Sequence, residues 1–164
     1  MSNRKPKKAE DFLRELESDP EWVAQRDARE RELAERAAVY AADEADLVAE
    51  IRAAGFGIGS VWDLVNNAPH SVLERRFTAG YSAVYPILIR HLTLSHHERV
   101  REGIIRALTV KDGGEELEQA LLAQFKKETD DGLKWVLANA LQTAVPYHRR
   151  RKWPEIAKVL SGRS

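Results

Sequence analysis

Between Ser82 and Val145, apolar residues recur at intervals of three and four, and the pattern is written twice. With an offset of 33 residues, Leu88 and Leu92 fall on Leu121 and Phe125, while Val100, Ile104, Ala107 and Leu108 fall on Leu133, Leu137, Ala140 and Leu141. Arg101 falls on Lys134. Apolar positions at such spacing predict amphipathic helices. Their repetition at a fixed period predicts helical pairs, each leaving an apolar face for its neighbour to cover. The first copy predicts helices over 83–94 and 96–109, with Pro86 in a first turn whose amides have no internal acceptor. The second predicts helices over 114–127 and 131–144, bounded by Asp112-Gly113-Gly114 and Thr129-Asp130-Asp131. Ser95 and Glu98 have the spacing of a capping box for the second helix of the first copy.

Upstream, Phe12, Leu13 and Leu16 give one side of a short helix that stops at Ser18-Asp19-Pro20. Either Ser18 with Glu21 or Asp19 with Pro20 at the first helical position starts the next helix. No proline or glycine interrupts 21–54, which predicts one long helix or two nearly collinear ones, with apolar residues at Leu33, Ala37, Tyr40, Leu47, Ile51 and Ala54. Residues 25–35 are a largely solvated rod, supported by pairs such as Glu32 and Arg36. The sevenfold spacing of Leu33, Tyr40, Leu47 and Ala54 is short for a coiled-coil seam, so packing on the chain's own first helix is preferred to dimerisation. Gly55-Phe56-Gly57-Ile58-Gly59 reads as a helix C-cap that tucks Phe56 and Ile58 into the core. It is no phosphate loop, because no strand precedes it and no Gly-Lys-Ser/Thr follows. Ser60 and Asp63 open a short helix over 61–65, which completes a degenerate first repeat over 37–67. Ser71 and Glu74 predict an inserted helix over 72–78, and Trp153, Ile156, Ala157 and Leu160 predict a last helix that caps the repeats.

The prediction is therefore an all-α chain: a disordered basic tail over 1–8, then a single helical-repeat domain over 9–164. That domain divides into N-terminal helices (9–54), a degenerate repeat and insertion (55–81), two clear repeats (82–145) and a basic capping helix (146–164). The run Arg99-Val100-Arg101-Glu102-Gly103-Ile104-Ile105-Arg106-Ala107-Leu108, in the second helix of a pair, resembles HEAT-like repeats of the short kind. The likeness covers 82–145 well and 37–67 poorly. The order of Asp19-Pro20-Glu21, Val61-Trp62-Asp63-Leu64-Val65-Asn66 and the 98–108 block is similar to that of small uncharacterised bacterial proteins of this type. The unit is shorter than the roughly 40–47 residues of ordinary HEAT repeats, and ankyrin and tetratricopeptide markers are missing. The resemblance implies a right-handed α-solenoid that serves as a protein-binding scaffold, with HEAT-like DNA glycosylases as the rarer precedent.

Composition narrows the chemistry. The 164 residues are 43% hydrophobic and 32% charged and contain no cysteine, which excludes disulfides, thiolate metal sites and cysteine nucleophiles. No run of about 18 apolar residues predicts a membrane span. The basic start Arg4–Lys8 leads into Ala9-Glu10-Asp11 rather than the apolar stretch of a signal peptide, so a cytoplasmic location is expected. The net charge of zero is unevenly distributed. Residues 1–8 carry four Lys or Arg and no acid, and 148–164 carry six against Glu155, so the body between them is acidic. Basic ends of this kind meet an anionic partner such as nucleic acid or fold back on the acidic body; the second reading is preferred.

Candidate sites follow from these patterns. Arg101 and Lys134, at matching positions of successive repeats, and the aromatic Trp62 and Trp135 are the candidate protein-binding residues. Arg149, Arg150, Arg151 and Lys152, beside Trp153, are the alternative, a nucleic-acid-binding segment. His91, His96, His97 and Glu98 have the ligand chemistry for zinc or iron. They lack the i, i+4 spacing of helical chelators and read instead as residues at a helix end and the next helix start. Asp130-Asp131 and Glu115-Glu116 sit at helix starts, where carboxylates cap. No catalytic residue, metal or cofactor is assigned. The expected function is a non-catalytic protein-interaction adaptor, monomeric or weakly dimeric through the N-terminal helix, with nucleic-acid binding as the runner-up and a glycosylase third.

Overall fold

A computed structural model of the chain describes residues 9–67, 77 and 79–162. These residues form ten α-helices, with no strand among them. The expected tail over 1–8 and nearly all of the expected helix over 72–78 lie outside the described residues. No helix among the described residues is long and apolar enough to cross a membrane. The chain divides into two compact units, Met1–Val39 and Tyr40–Ser164.

The first unit holds α1 (Ala9–Glu17) and most of α2 (Pro20–Asp43). Asp19 sets the start of α2: its Oδ1 accepts the amides of Glu21 (3.0 Å) and Trp22 (3.4 Å), with Pro20 in the first turn. Ser18 instead donates to the Glu15 carbonyl. Of the two starts that the sequence allows, the structure uses the Asp-Pro one. No residue of α2 is buried, and Leu33 and Val39 are more than half exposed. Ion pairs such as Arg36–Glu32 and Arg26–Asp27 line the rod.

The second unit stacks its helices in two ranks. α3 (Ala45–Ala53), α5 (Tyr85–Leu92) and α7 (Gly114–Lys127) follow one another in the first. α4 (Trp62–Val65), α6 (Glu98–Ala107), α8 (Asp131–Ala144) and α10 (Pro154–Leu160) follow in the second, with α9 (Tyr147–Arg150) also on α8. The pairs α5/α6 and α7/α8 join the ranks. All six apolar pairs matched by the offset of 33 lie in the one continuous core cluster. Each fully buried large apolar side chain there contributes about 1.5–3 kcal/mol.

The long helical stretch breaks at Glu44, between α2 and α3. Glu44 stands where the apolar stripe of Tyr40, Leu47 and Ile51 continues, and it is 5% exposed. Its carboxylate accepts the amide of Val61 (2.9 Å) and the hydroxyl of Ser60 (3.1 Å), tying the helix junction to the start of α4. Gly55 ends α3 at φ +96, with the Phe56 amide returning to the Ile51 carbonyl, a Schellman closure. Ile58 is buried, and Phe56 packs edge-on against Phe77. At the start of α4, Asp63 Oδ2 accepts the Gly59 amide at 2.7 Å, and Ser60 Oγ accepts that of Trp62.

α7 and α8 have the predicted ends, but α5 and α6 are shorter than predicted. A 3₁₀ turn (Ser82–Val84) precedes α5, because Pro86 must lie within its first turn. The capping box of Ser95 and Glu98 does not form. Asp43 Oδ2 holds the amide of His97 at 2.9 Å and the ring of His96 at 3.1 Å, which keeps both residues outside the helix. His97 becomes the cap, its Nδ1 accepting the Arg99 amide.

Candidate functional site

Arg101 and Lys134 converge on one residue. The Arg101 guanidinium donates to Glu128 Oε2 at 2.7 Å, and Lys134 Nζ donates to the Glu128 carbonyl at 3.2 Å while lying 5.6 Å from the Phe125 ring. Glu128 Oε1 accepts the amides of Thr129 (2.9 Å) and Asp130 (3.0 Å). Burial raises the Glu128 carboxyl, but the Asp130 amide, the Arg101 guanidinium and the Thr129 amide outweigh it and hold the group below the ordinary glutamate value. Asp130 then caps α8 through the Leu133 amide at 2.8 Å. The matched basic positions are thus the two arms of a clasp around the turn between α7 and α8.

Trp62 is also engaged internally. Arg99 lies over its ring at 3.6 Å, and Gly103 faces it so closely that a Cβ there would stand 2.6 Å from Val61 and 3.0 Å from Trp62 Nε1. Glycine at 103 is what lets α4 and α6 approach. Trp135, on the outer side of α8, stays 44% exposed.

The basic segment is divided in its roles. Arg149 reaches back to Glu118 at 2.6 Å, and Glu118 is itself buried. Arg150 is half-buried, its guanidinium 5.7 Å from the Tyr147 ring, while Arg151 and Lys152 are exposed. Between α8, α9 and α10 lies a groove of about 650 Å³, lined by Tyr147, Arg150, Arg151, Trp153, Ala157 and Leu160 among others. Tyr147 is 72% exposed at its mouth. Apolar and aromatic surface forms most of the lining, to which Arg150 and Arg151 also contribute. Such a surface suits a segment that combines apolar side chains with acids.

His91 and His96 meet ring to ring, with Nδ1 of the first 3.0 Å from Nε2 of the second. His91 Nε2 lies 3.3 Å from Glu50 Oε1, and Glu50 also pairs with Arg90. Burial, then His96, then Arg90 lower the His91 value below that of an ordinary imidazole, with Asp46 opposing them. No group of three or more metal-ligating side chains with the geometry to hold an ion occurs among the described residues.

Three features escaped sequence reasoning. Glu44 and Glu118 each occupy a position of the apolar stripe, and an acid at such a position signals a buried partner. Glu118 falls on Tyr85 at the offset of 33 and is met by Arg149 from α9. Glu128 carries no pattern of its own, since its role depends on Arg101 coming from another helical pair. No family model, curated protein or solved structure matches the chain.

Proposed function

We propose that the chain is a non-catalytic protein-interaction module of the HEAT-like repeat type, which receives an acidic, amphipathic segment of a partner in the groove between α8, α9 and α10. What carries the reading is that groove. It combines exposed Tyr147, the half-buried Trp153 and an apolar floor with Arg150 and Arg151. The two-rank stacking of helical pairs around a 33-residue period supports the solenoid part of the reading. Charge favours a peptide over nucleic acid, because Arg149 is committed to Glu118 and leaves few cations to follow a phosphate backbone. The reading carries a cytoplasmic location and a monomer, or a weak dimer through α2.

The test is fluorescence anisotropy with two labelled probes: a helical peptide alternating Glu with Leu and Phe, and a mixed-sequence oligonucleotide of 20 nucleotides. The expected result is micromolar peptide binding that weakens about tenfold in Tyr147→Ala and in Arg151→Glu, two exposed positions whose replacement leaves the core untouched. Oligonucleotide binding that vanishes at moderate salt would move the function to the runner-up. Binding of neither probe would overturn the groove as the site.

A further inference from the structure

Four nitrogens and two carboxylates form a single file: Glu50 Oε1, His91 Nε2, His91 Nδ1, His96 Nε2, His96 Nδ1 and Asp43 Oδ2, with gaps of 3.3, 3.0 and 3.1 Å. The His91 and His96 side chains are only 3% and 6% exposed, so water does not replace a lost contact cheaply. Each gap is a hydrogen bond only if one proton lies in it, and carboxylates only accept. Three gaps therefore require three protons on the two rings. Two neutral imidazoles supply two, which leaves either two lone pairs facing each other or a lone pair facing a carboxylate. With a third proton, every gap is filled and one ring is a cation.

We propose that His91 and His96 hold one extra proton between them and act as a proton-operated latch, fastening the α2–α3 corner to the turn between α5 and α6. Local charge supports the occupied state. Asp43, at the end of α2, and Glu50, on α3, contribute two negative charges, and Asp46, also on α3, adds a third nearby. Arg90 on α5 offsets one of them through Glu50. From α6, Arg101 lines the small cleft beside His96, but its guanidinium is committed to Glu128; from α7 comes the uncharged Gln124. His97, next in the turn, packs at a tilt against the Tyr40 ring and caps α6, so it does not compete for the file. His96 is the ring that donates from both nitrogens. His91 is the neutral one, donating from Nε2 and accepting at Nδ1, in keeping with its lowered affinity for a proton.

The pH response follows from counting protons on the pair as one unit. An unfolded chain carries two protons on these histidines well below about pH 6.5 and none well above it. The folded pair carries one. On the acid side the unfolded state binds the additional proton, so stability falls as pH falls; this is the side on which His91 refuses a second charge. On the alkaline side the folded state binds the additional proton, so stability falls as pH rises, until the folded pair releases it. The contribution of the latch thus peaks near about pH 6.5, and a one-proton difference changes the unfolding constant by up to about tenfold per pH unit on either side.

Two measurements on the full chain test the latch. Long-range ¹H–¹⁵N spectra of the uniformly labelled protein at pH 6.5 count ring protons directly; three protonated nitrogens on His91 and His96 are expected, with only His91 Nδ1 bare. Urea midpoints from pH 5 to 8.5 should rise and fall in the wild type and flatten in His96→Gln, whose amide spans the site without titrating. Asp43→Asn, which keeps an acceptor for the His97 amide, should release the third proton at lower pH. Two protonated nitrogens at pH 6.5, or two rings titrating as independent ordinary histidines, would overturn the proposal. The nitrogen count needs no variant, so a misfolded variant leaves the test intact.

Discussion

Replacing Glu128 with glutamine isolates the clasp around the α7–α8 turn. The side chain is 7% exposed, with one oxygen on Arg101 and the other accepting the Thr129 and Asp130 amides. Glutamine keeps an amide oxygen for the two backbone donors but turns its NH₂ toward the guanidinium, so a donor faces a donor. Losing one hydrogen bond to a charged group costs roughly 1.5–3 kcal/mol. Arg101 retains a quarter of its side-chain exposure and is partly rehydrated, which brings the expectation to about 2 kcal/mol. With a urea slope of about 2 kcal/mol/M, Glu128→Gln should lower the unfolding midpoint at pH 7 by about 1 M. The pH dependence has a fixed sign. A carboxyl held below the ordinary glutamate value of 4.5 contributes stability that is present above that value and lost as pH falls through the folded value. The gap between wild type and variant should therefore narrow below about pH 4.5. A shift of less than about 0.2 M at pH 7, or a gap unchanged down to pH 3, would refute the clasp.

Gly103→Ala places a methyl against Val61 and Trp62 and should destabilise by about 1–3 kcal/mol, read as a lower thermal midpoint together with altered tryptophan fluorescence. Leu137→Ala, at a fully buried position of the repeated face, should cost about 2–5 kcal/mol in the same urea assay. Tyr81 is raised to about 12, chiefly by burial and then by Asp112, and Tyr85 is raised further; absorbance at 295 nm should show neither phenol ionising below pH 11 while the chain stays folded.

The helical pairs were legible because burial imposes its own period on the sequence. The faces of α5 to α8 carry mostly apolar side chains where they meet the core, and Asp130 announces the start of α8. The start of α6 was not legible, because it depends on Asp43 holding His96 and His97, a contact across more than fifty residues. The same distance hides the candidate site. Arg149 reads as one cation of a basic run until Glu118 is seen beneath it, and Arg101 reads as a candidate protein-binding residue until Glu128 is placed. Local spacing reports which face is buried, whereas the pairing of charges follows from how successive helices stack. Glu44 and Glu118 left only a faint local trace, an acid where an apolar residue belongs, and the partner that explains each comes from elsewhere in the chain.

The ranks of the second unit have a consequence for how it comes apart. Each helix rests on its immediate neighbours, so cooperativity is transmitted stepwise and weakens toward the ends of the stack. α10 covers α8 from one side only, and its loss would strip one layer while α5 to α8 keep their mutual contacts. Amide exchange should accordingly be graded, slowest at Ile104, Ile105 and Leu137 and fastest in α9 and α10. The terminal helices that bound the groove are then the elements that reshape at least cost, so the unit would accommodate a ligand by rearranging its last layer rather than its core.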